Sequence, residues 1–190
     1  MTEIVLLHHI CGLTPGVHAL ADAFRAAGHT VHTPDLFDGA TFSTVEQGAE
    51  YARGVGFEAL RTRGLAAVGE HPGAGVVAGI SFGTMAALAA VATLPDVRTG
   101  LLLEGFADPE HFGGLPAGAR LQVHGMDADP FFAGEGDLDA AREVAAVRPE
   151  VEVFTYPGDR HLFVDASLAS SDPEATALVV QRCLEMLERP

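Results

Sequence analysis

The alternation of short apolar runs with longer amphipathic stretches constrains the fold of this chain more than any other feature. Six strands are predicted near 3–8, 30–33, 74–80, 99–104, 119–124 and 150–155. Helices are predicted over Pro15–Gly28, a broken stretch 45–68, from Phe82 to just before Pro95, and over 138–147 and 173–188. Strands separated by helix-length segments indicate a parallel sheet with helices on both faces.

The same pattern continues along the whole sequence. No linker, repeat or low-complexity tract interrupts it, so we interpret residues 1–190 as one domain. Two long loops rich in glycine and proline, 105–118 and 125–136, follow predicted strands. Open α/β sheets build their sites from the loops at the carboxyl ends of the strands. The segment between the fourth and fifth strands is too short to form a separate cap domain.

The charge balance restricts the class of partner. The chain has 26 acidic and 11 basic residues, a formal net charge of -15, which repels nucleic acid and anionic lipid surfaces. We therefore expect no nucleic-acid partner and no membrane partner. The N-terminal residues lack the pattern of a signal peptide and no apolar run is long enough to span a bilayer, so a cytoplasmic location is expected.

The segment Gly79–Gly83, with the sequence Gly-Ile-Ser-Phe-Gly, lies between an apolar run and an alanine-rich stretch. This context predicts a strand, a sharp turn and a helix, with Ser81 at the turn. Glycine two residues to either side lets the helix approach the strand closely. The serine hydroxyl would then lie at a helix start, where free backbone N–H groups favour a developing anion. The pattern is typical of a nucleophilic serine, although such five-residue matches also occur in ordinary turns.

A nucleophilic serine needs a base, usually a histidine, and a carboxylate that orients it. His161 follows the sixth predicted strand and Asp129 follows the fifth. The order serine, aspartate, histidine is the one expected when the nucleophile lies on such a turn. Asp127 lies in the same loop as Asp129, and either carboxylate could reach the histidine.

Four segments resemble the dienelactone hydrolase family, a branch of the α/β hydrolases. Residues 156–163 are similar to that family's Y-P-G-x-x-H-x-F segment, and residues 124–132 resemble the stretch around its acid. Further likeness lies in His9–Leu13 and in Thr33–Phe37, so the resemblance covers nearly the whole chain. The Pro-Phe-Phe that follows Asp129 matches the family, which favours Asp129 over Asp127 as the acid.

The resemblance implies a minimal, doubly wound α/β-hydrolase fold without a cap, its predominantly parallel sheet of about six strands in the order 2-1-3-4-5-6. It also implies hydrolysis of a small ester or lactone through an acyl-enzyme, with Ser81, His161 and Asp129 as the triad. The backbone N–H groups of Ile10 and Phe82 match the oxyanion donors. No cofactor and no metal are expected.

Three positions depart from the family pattern. Ser81 stands where archetypal members have cysteine, His9 where they have glutamate, and Asp165 where an arginine holds the substrate carboxylate. We therefore expect a neutral ester or lactone rather than an anionic dienelactone. His9, Cys11, Phe131 and Phe163 are candidates for the substrate pocket. Packing in the core is the commoner role for a free cysteine such as Cys11, and the two phenylalanines could equally hold the catalytic loops against the core.

Other interpretations remain open at this level. Glu104, at the end of the fourth predicted strand, is expected to be solvated or to cap a helix. His8 and His9 are adjacent on a strand and point to opposite faces, which argues against a shared metal. The same triad could serve a thioesterase, an acyltransferase or a peptidase, or the chain could be a binding module on a hydrolase scaffold. A monomer or a homodimer is expected.

Overall fold

The computed structural model describes residues 1–189 and contains one six-stranded sheet, parallel throughout, in the order β2-β1-β3-β4-β5-β6. The strands are β1 (Glu3–Leu7), β2 (Thr30–His32), β3 (Val76–Ile80), β4 (Thr99–Leu103), β5 (Arg120–Met126) and β6 (Val151–Tyr156). Both the strand positions and the strand order predicted from the sequence are confirmed.

Within residues 1–189, six α-helices connect and cover the strands. They are α1 (Pro15–Ala26), α2 (Val45–Val55), α3 (Phe57–Gly69), α4 (Gly83–Thr93), α5 (Asp137–Val147) and α6 (Pro173–Glu188). The break predicted within 45–68 falls at Gly56, whose φ of 101° ends α2 and begins α3. A short 3-10 helix (Pro109–Phe112) lies in the loop after β4, where the sequence predicted irregular structure alone.

The core lies on both faces of the sheet because successive side chains of a strand point in opposite directions. Ile4 and Leu6 of β1 pack in the cluster that contains side chains of α1 and α6. Val5 and Leu7 pack in the other cluster, with side chains of α4 and α5. Burial on both faces explains why β1, β3 and β4 are nearly continuous apolar runs in the sequence.

Parallel strands bring all their carboxyl ends to one edge of the sheet, and the loops after β1, β3, β4, β5 and β6 lie there. Within residues 1–189 no inserted cap domain covers this edge. Over the same residues, no helix combines the length and the apolar character that a bilayer crossing requires.

Candidate active site

Ser81 follows β3 directly and has a φ of 47°, a left-handed conformation that is unfavourable for serine. Its N–H donates to the carbonyl of Leu103 on β4 (2.7 Å), which holds the turn against the sheet. A Cβ at Gly83 would lie 2.6 Å from the carbonyl oxygen of Leu7, and one at Gly79 would meet the backbone of Gly83 at 2.6 Å. The two glycines thus let α4 start directly against β1 and β3.

The three side chains predicted as a triad lie within hydrogen-bonding distance in series. The Oγ of Ser81 is 2.8 Å from Nε2 of His161, and Nδ1 of His161 is 2.7 Å from Oδ2 of Asp129. Asp129 is fully buried and accepts a second hydrogen bond from the N–H of Phe131 (2.8 Å). With its Nδ1 proton donated to Asp129, the imidazole presents a free Nε2 lone pair to the serine hydroxyl.

The competing carboxylate has a different role. Asp127 is exposed and its Oδ1 accepts a hydrogen bond from the N–H of Gly158 (3.1 Å). This contact ties the loop after β5 to the turn after β6. Asp129, and not Asp127, contacts the imidazole.

The two amides considered as oxyanion donors belong to loops at the same sheet edge. Phe82 immediately precedes α4, where the first N–H groups of a helix lack intrahelical acceptors. Within residues 1–189, the N–H groups of Phe82 and Ile10 donate to no other protein group. Gly48 of α2 packs against the loop of Ile10, since a Cβ there would lie 2.0 Å from the Ile10 carbonyl oxygen.

Three of the four predicted pocket residues do not line the cavity beside Ser81. His9, Cys11 and Phe163 have no exposed surface and face the interior. They are buried because the loops after β1 and β6 fold back onto the core. Phe131 does line the cavity, and its ring centroid is 4.6 Å from that of His161.

His9 instead pairs with Asp165, and both residues depart from the family pattern. Its Nε2 lies 2.7 Å from Oδ2 of Asp165, and both side chains are fully buried. Its Nδ1 accepts the N–H of Cys11 (3.1 Å), which fixes the neutral tautomer with the proton on Nε2. The hydroxyl of Thr14 also donates to Asp165. The pair therefore connects the loop that carries Ile10 to the segment that follows His161.

Replacing Asp165 by asparagine is expected to destabilise the protein by about 2 kcal/mol at pH 7. Burial raises the pKa of this carboxyl, but hydrogen bonds from His9, Ser167 and Thr14 outweigh it and lower the pKa to about 2. The depressed pKa contributes stability that is present above pH 4 and is lost as the pH falls towards 2. Urea unfolding of both proteins at pH 7 and at pH 3 measures the effect.

The difference between Asp165→Asn and the wild type should therefore shrink at pH 3. Asp159→Asn, at an exposed position, is the matched control and should leave the unfolding free energy unchanged at both pH values. If the two unfolding free energies differ by the same amount at both pH values, the charge of the Asp165 carboxylate is not the cause of the destabilisation.

Glu104 is the residue that the sequence interpretation missed. It is only 1% exposed, so the expectation of a solvated or capping role is wrong. It has a φ of 60°, and its Oε1 accepts the N–H of Phe163 (2.6 Å), two residues after His161. Its Oε2 has no hydrogen-bond partner within residues 1–189. Burial raises the pKa of Glu104 well above its usual value.

The cavity beside Ser81 and His161 has a volume of about 530 Å³. Apolar side chains line part of the cavity, among them Val45, Phe106 and Phe131. Three acidic residues also line the cavity, namely Glu104, Glu135 and Asp137, and among the described lining residues there is no arginine. Burial raises the pKa of Asp137, whose carboxylate accepts the N–H of Phe106 (2.8 Å). The cavity therefore offers no cation to a substrate carboxylate.

Solved structures with the same fold include a protein of Klebsiella pneumoniae subsp. pneumoniae MGH 78578, provisionally named a dienelactone hydrolase. It has a TM-score of 0.76 at 14% identity, over 100% of this chain and 88% of that one. P91, a dienelactone hydrolase-like promiscuous phosphotriesterase from metagenomic libraries, has a TM-score of 0.70 at 16% identity, over 98% of this chain and 85% of that one. Esterase 2 of Thermogutta terrifontis, phosphonylated by cyclosarin, has a TM-score of 0.67 at 14% identity, over 98% of this chain and 81% of that one.

Sequence comparison gives the family itself. No curated protein matches the sequence significantly. The sequence profile of the dienelactone hydrolase family, however, matches residues 1–190. This match covers the segments around Ser81, Asp129 and His161 and agrees with the fold. The chain belongs to the dienelactone hydrolase family.

Proposed function

We propose that this protein is a serine hydrolase that cleaves a small neutral ester or lactone through an acyl-enzyme on Ser81. Membership of the dienelactone hydrolase family makes the chain a hydrolase of ester bonds. The proposal adds the nucleophile, the course of the reaction and the charge of the substrate. The observation that carries it is the continuous hydrogen-bonded series from Ser81 through His161 to Asp129.

In the first half of the reaction, Nε2 of His161 takes the proton of the Ser81 hydroxyl as Oγ attacks the ester carbonyl carbon. The carbonyl oxygen becomes an oxyanion, which the free N–H groups of Ile10 and Phe82 stabilise. Asp129 stabilises the imidazolium and keeps its ring oriented. When the C–O bond breaks, His161 returns its proton to the leaving alkoxide, and the acyl group stays on Ser81.

In the second half, a water molecule takes the place of the departed alcohol. His161 removes a proton from the water as its oxygen attacks the acyl carbon, and the same two amides hold the second oxyanion. Collapse of this intermediate breaks the bond to Oγ, and His161 returns the proton to Ser81. The carboxylic acid product leaves, and the protein regains its starting protonation state.

Two features support a neutral substrate. Glu135 and Asp137 line the cavity beside the serine, and a bound carboxylate would lie near these acidic groups without a cation to offset them. Asp165 stands where the family arginine is expected and is buried against His9, so it cannot contact a substrate. An uncharged ester or lactone avoids this electrostatic cost.

Labelling with a fluorophosphonate, followed by peptide mass spectrometry, tests the proposal because the reagent requires an activated serine and no knowledge of the substrate. Phosphonylation of esterase 2 from Thermogutta terrifontis supports the choice of reagent. We expect modification confined to Ser81, absent in Ser81→Ala and strongly slowed in His161→Ala. Folded protein that remains unlabelled, or that is labelled at another serine, would contradict the proposal.

A further inference from the structure

A second cavity, of about 760 Å³, lies between α3 and α4. One wall is a face of α4, because its lining residues follow one another at intervals of three or four positions. The opposite wall comes from α3, and the ring of Phe112 in the 3-10 helix also lines the space. The residues that define this groove are Phe82, Met85, Ala89 and Thr93 on one side and Phe57 and Leu65 on the other.

The groove adjoins the cavity that holds Ser81. Phe57, Phe82 and Met85 line both spaces. The rings of Phe57 and Phe82 are tilted by 53° with their centroids 6.2 Å apart, and Phe57 is 47% exposed. An exposed phenylalanine at the junction of two cavities is suited to cover an apolar group that passes between them.

The position of His161 determines which part of an ester would enter the groove. The imidazole must reach the leaving oxygen to protonate it, so the alcohol portion lies on the side of His161 and Phe131. Both residues line the cavity of Ser81 but not the groove. The acyl portion must therefore extend the other way, past Phe82 and Met85.

The dimensions and charge of the groove indicate the kind of acyl group. Phe82 and Thr93 are eleven residues apart, which corresponds to about 16 Å along a helix. The one arginine among its described lining residues, Arg61, donates from Nε to the Glu58 carboxylate (3.0 Å), so its charge is already compensated. A groove with these properties suits an uncharged, extended hydrocarbon chain and offers little to a terminal carboxylate.

We infer that the groove between α3 and α4 binds the acyl chain of the substrate, and that medium-chain acyl esters are better substrates than acetates. This inference rests on the proposed function, since it requires the acyl group to be transferred to Ser81. It assigns Phe57, Met85 and Leu65 as residues that determine chain-length specificity.

The test is a series of 4-nitrophenyl esters from acetate to dodecanoate, with kcat/KM measured below the aggregation limit of each ester. We expect kcat/KM to rise about two- to fourfold for each added methylene until the groove is filled. A parallel series of alkyl acetates, with the chain on the alcohol, should show little change. An equal rise in that second series, or no rise in the first, would overturn the inference.

Thr93→Trp places a large side chain at the exposed far end of the groove and is expected to lower kcat/KM much more for the longest acyl chains than for the acetate. Leu178→Trp, on an exposed face of α6, is the matched control and should leave the whole series as in the wild type. Equal rates for all chain lengths in protein labelled at Ser81 would overturn the assignment of the groove as the acyl-binding site but leave the proposed function intact. No hydrolysis together with no labelling would overturn both.

Discussion

Replacing Ser81 by alanine is expected to lower kcat for 4-nitrophenyl ester hydrolysis by about 10⁴- to 10⁶-fold. Without Oγ no acyl-enzyme can form, and the remaining rate comes from water attack assisted by the oxyanion donors. The substitution leaves KM nearly unchanged if the cavity binds substrate without help from the hydroxyl. Steady-state kinetics on protein free of contaminating esterases measures both parameters.

The fold should survive this substitution. Ser81 is held in its turn by a backbone hydrogen bond to Leu103 and by the glycines around it, none of which involves the hydroxyl. Circular dichroism and the unfolding midpoint should match those of the wild type. Ser43→Ala, at an exposed serine in the loop before α2, is the control for the loss of a hydroxyl and should keep full activity. Ser81→Ala with more than a tenth of wild-type kcat would rule out this serine as the nucleophile.

The fold was predictable because many of its strands and helices have a recognisable local sequence pattern, and these elements alternate along the chain. β1, β3 and β4 are apolar runs, and several helices have their own boundary signals, such as Pro15 at the start of α1 and Gly56 between α2 and α3. The family resemblance then supplied the strand order. The 3-10 helix after β4 was not predicted, because a single turn capped by Asp108 leaves no periodic pattern in a loop rich in glycine and proline.

The candidate site was predictable only in part. Ser81 and His161 lie in distinctive segments, and the structure brings their side chains together. The environment of Glu104 was not predictable, because an acidic residue after a strand is usually solvated and its burial depends on the distant loop of Phe163. Its position at the carboxyl end of the strand beside β3 was the one available signal.

The pairing of His9 with Asp165 could not be predicted for a related reason. The two residues are 156 positions apart and each was considered only against the family pattern. Relative to the family pattern, the loop after β1 has a histidine in place of glutamate, and the segment after β6 has an aspartate in place of arginine. That the two side chains form a buried pair follows only from the fold, which brings these distant positions into contact.

Replacing Asp129 by asparagine is expected to lower kcat by about 10³- to 10⁴-fold with little change in structure. The carboxylate now accepts the Nδ1 proton of His161 (2.7 Å), which leaves Nε2 free to accept the proton of Ser81. An asparagine whose amide N–H donates to Nδ1 would instead favour the tautomer protonated at Nε2, which cannot act as a base. Fluorophosphonate labelling of Ser81 should slow by a similar factor.

Asp127→Asn is the matched control for Asp129→Asn, since both substitutions remove one negative charge from the same loop. The amide oxygen of the new asparagine can still accept the N–H of Gly158, so the turn should hold. We expect its kcat to remain close to that of the wild type. A large loss in Asp127→Asn with retained activity in Asp129→Asn would identify the exposed residue as the orienting acid. Equal, modest losses in both would mean that the loop contributes only a general electrostatic effect, because a specific contact to Nδ1 belongs to one carboxylate alone.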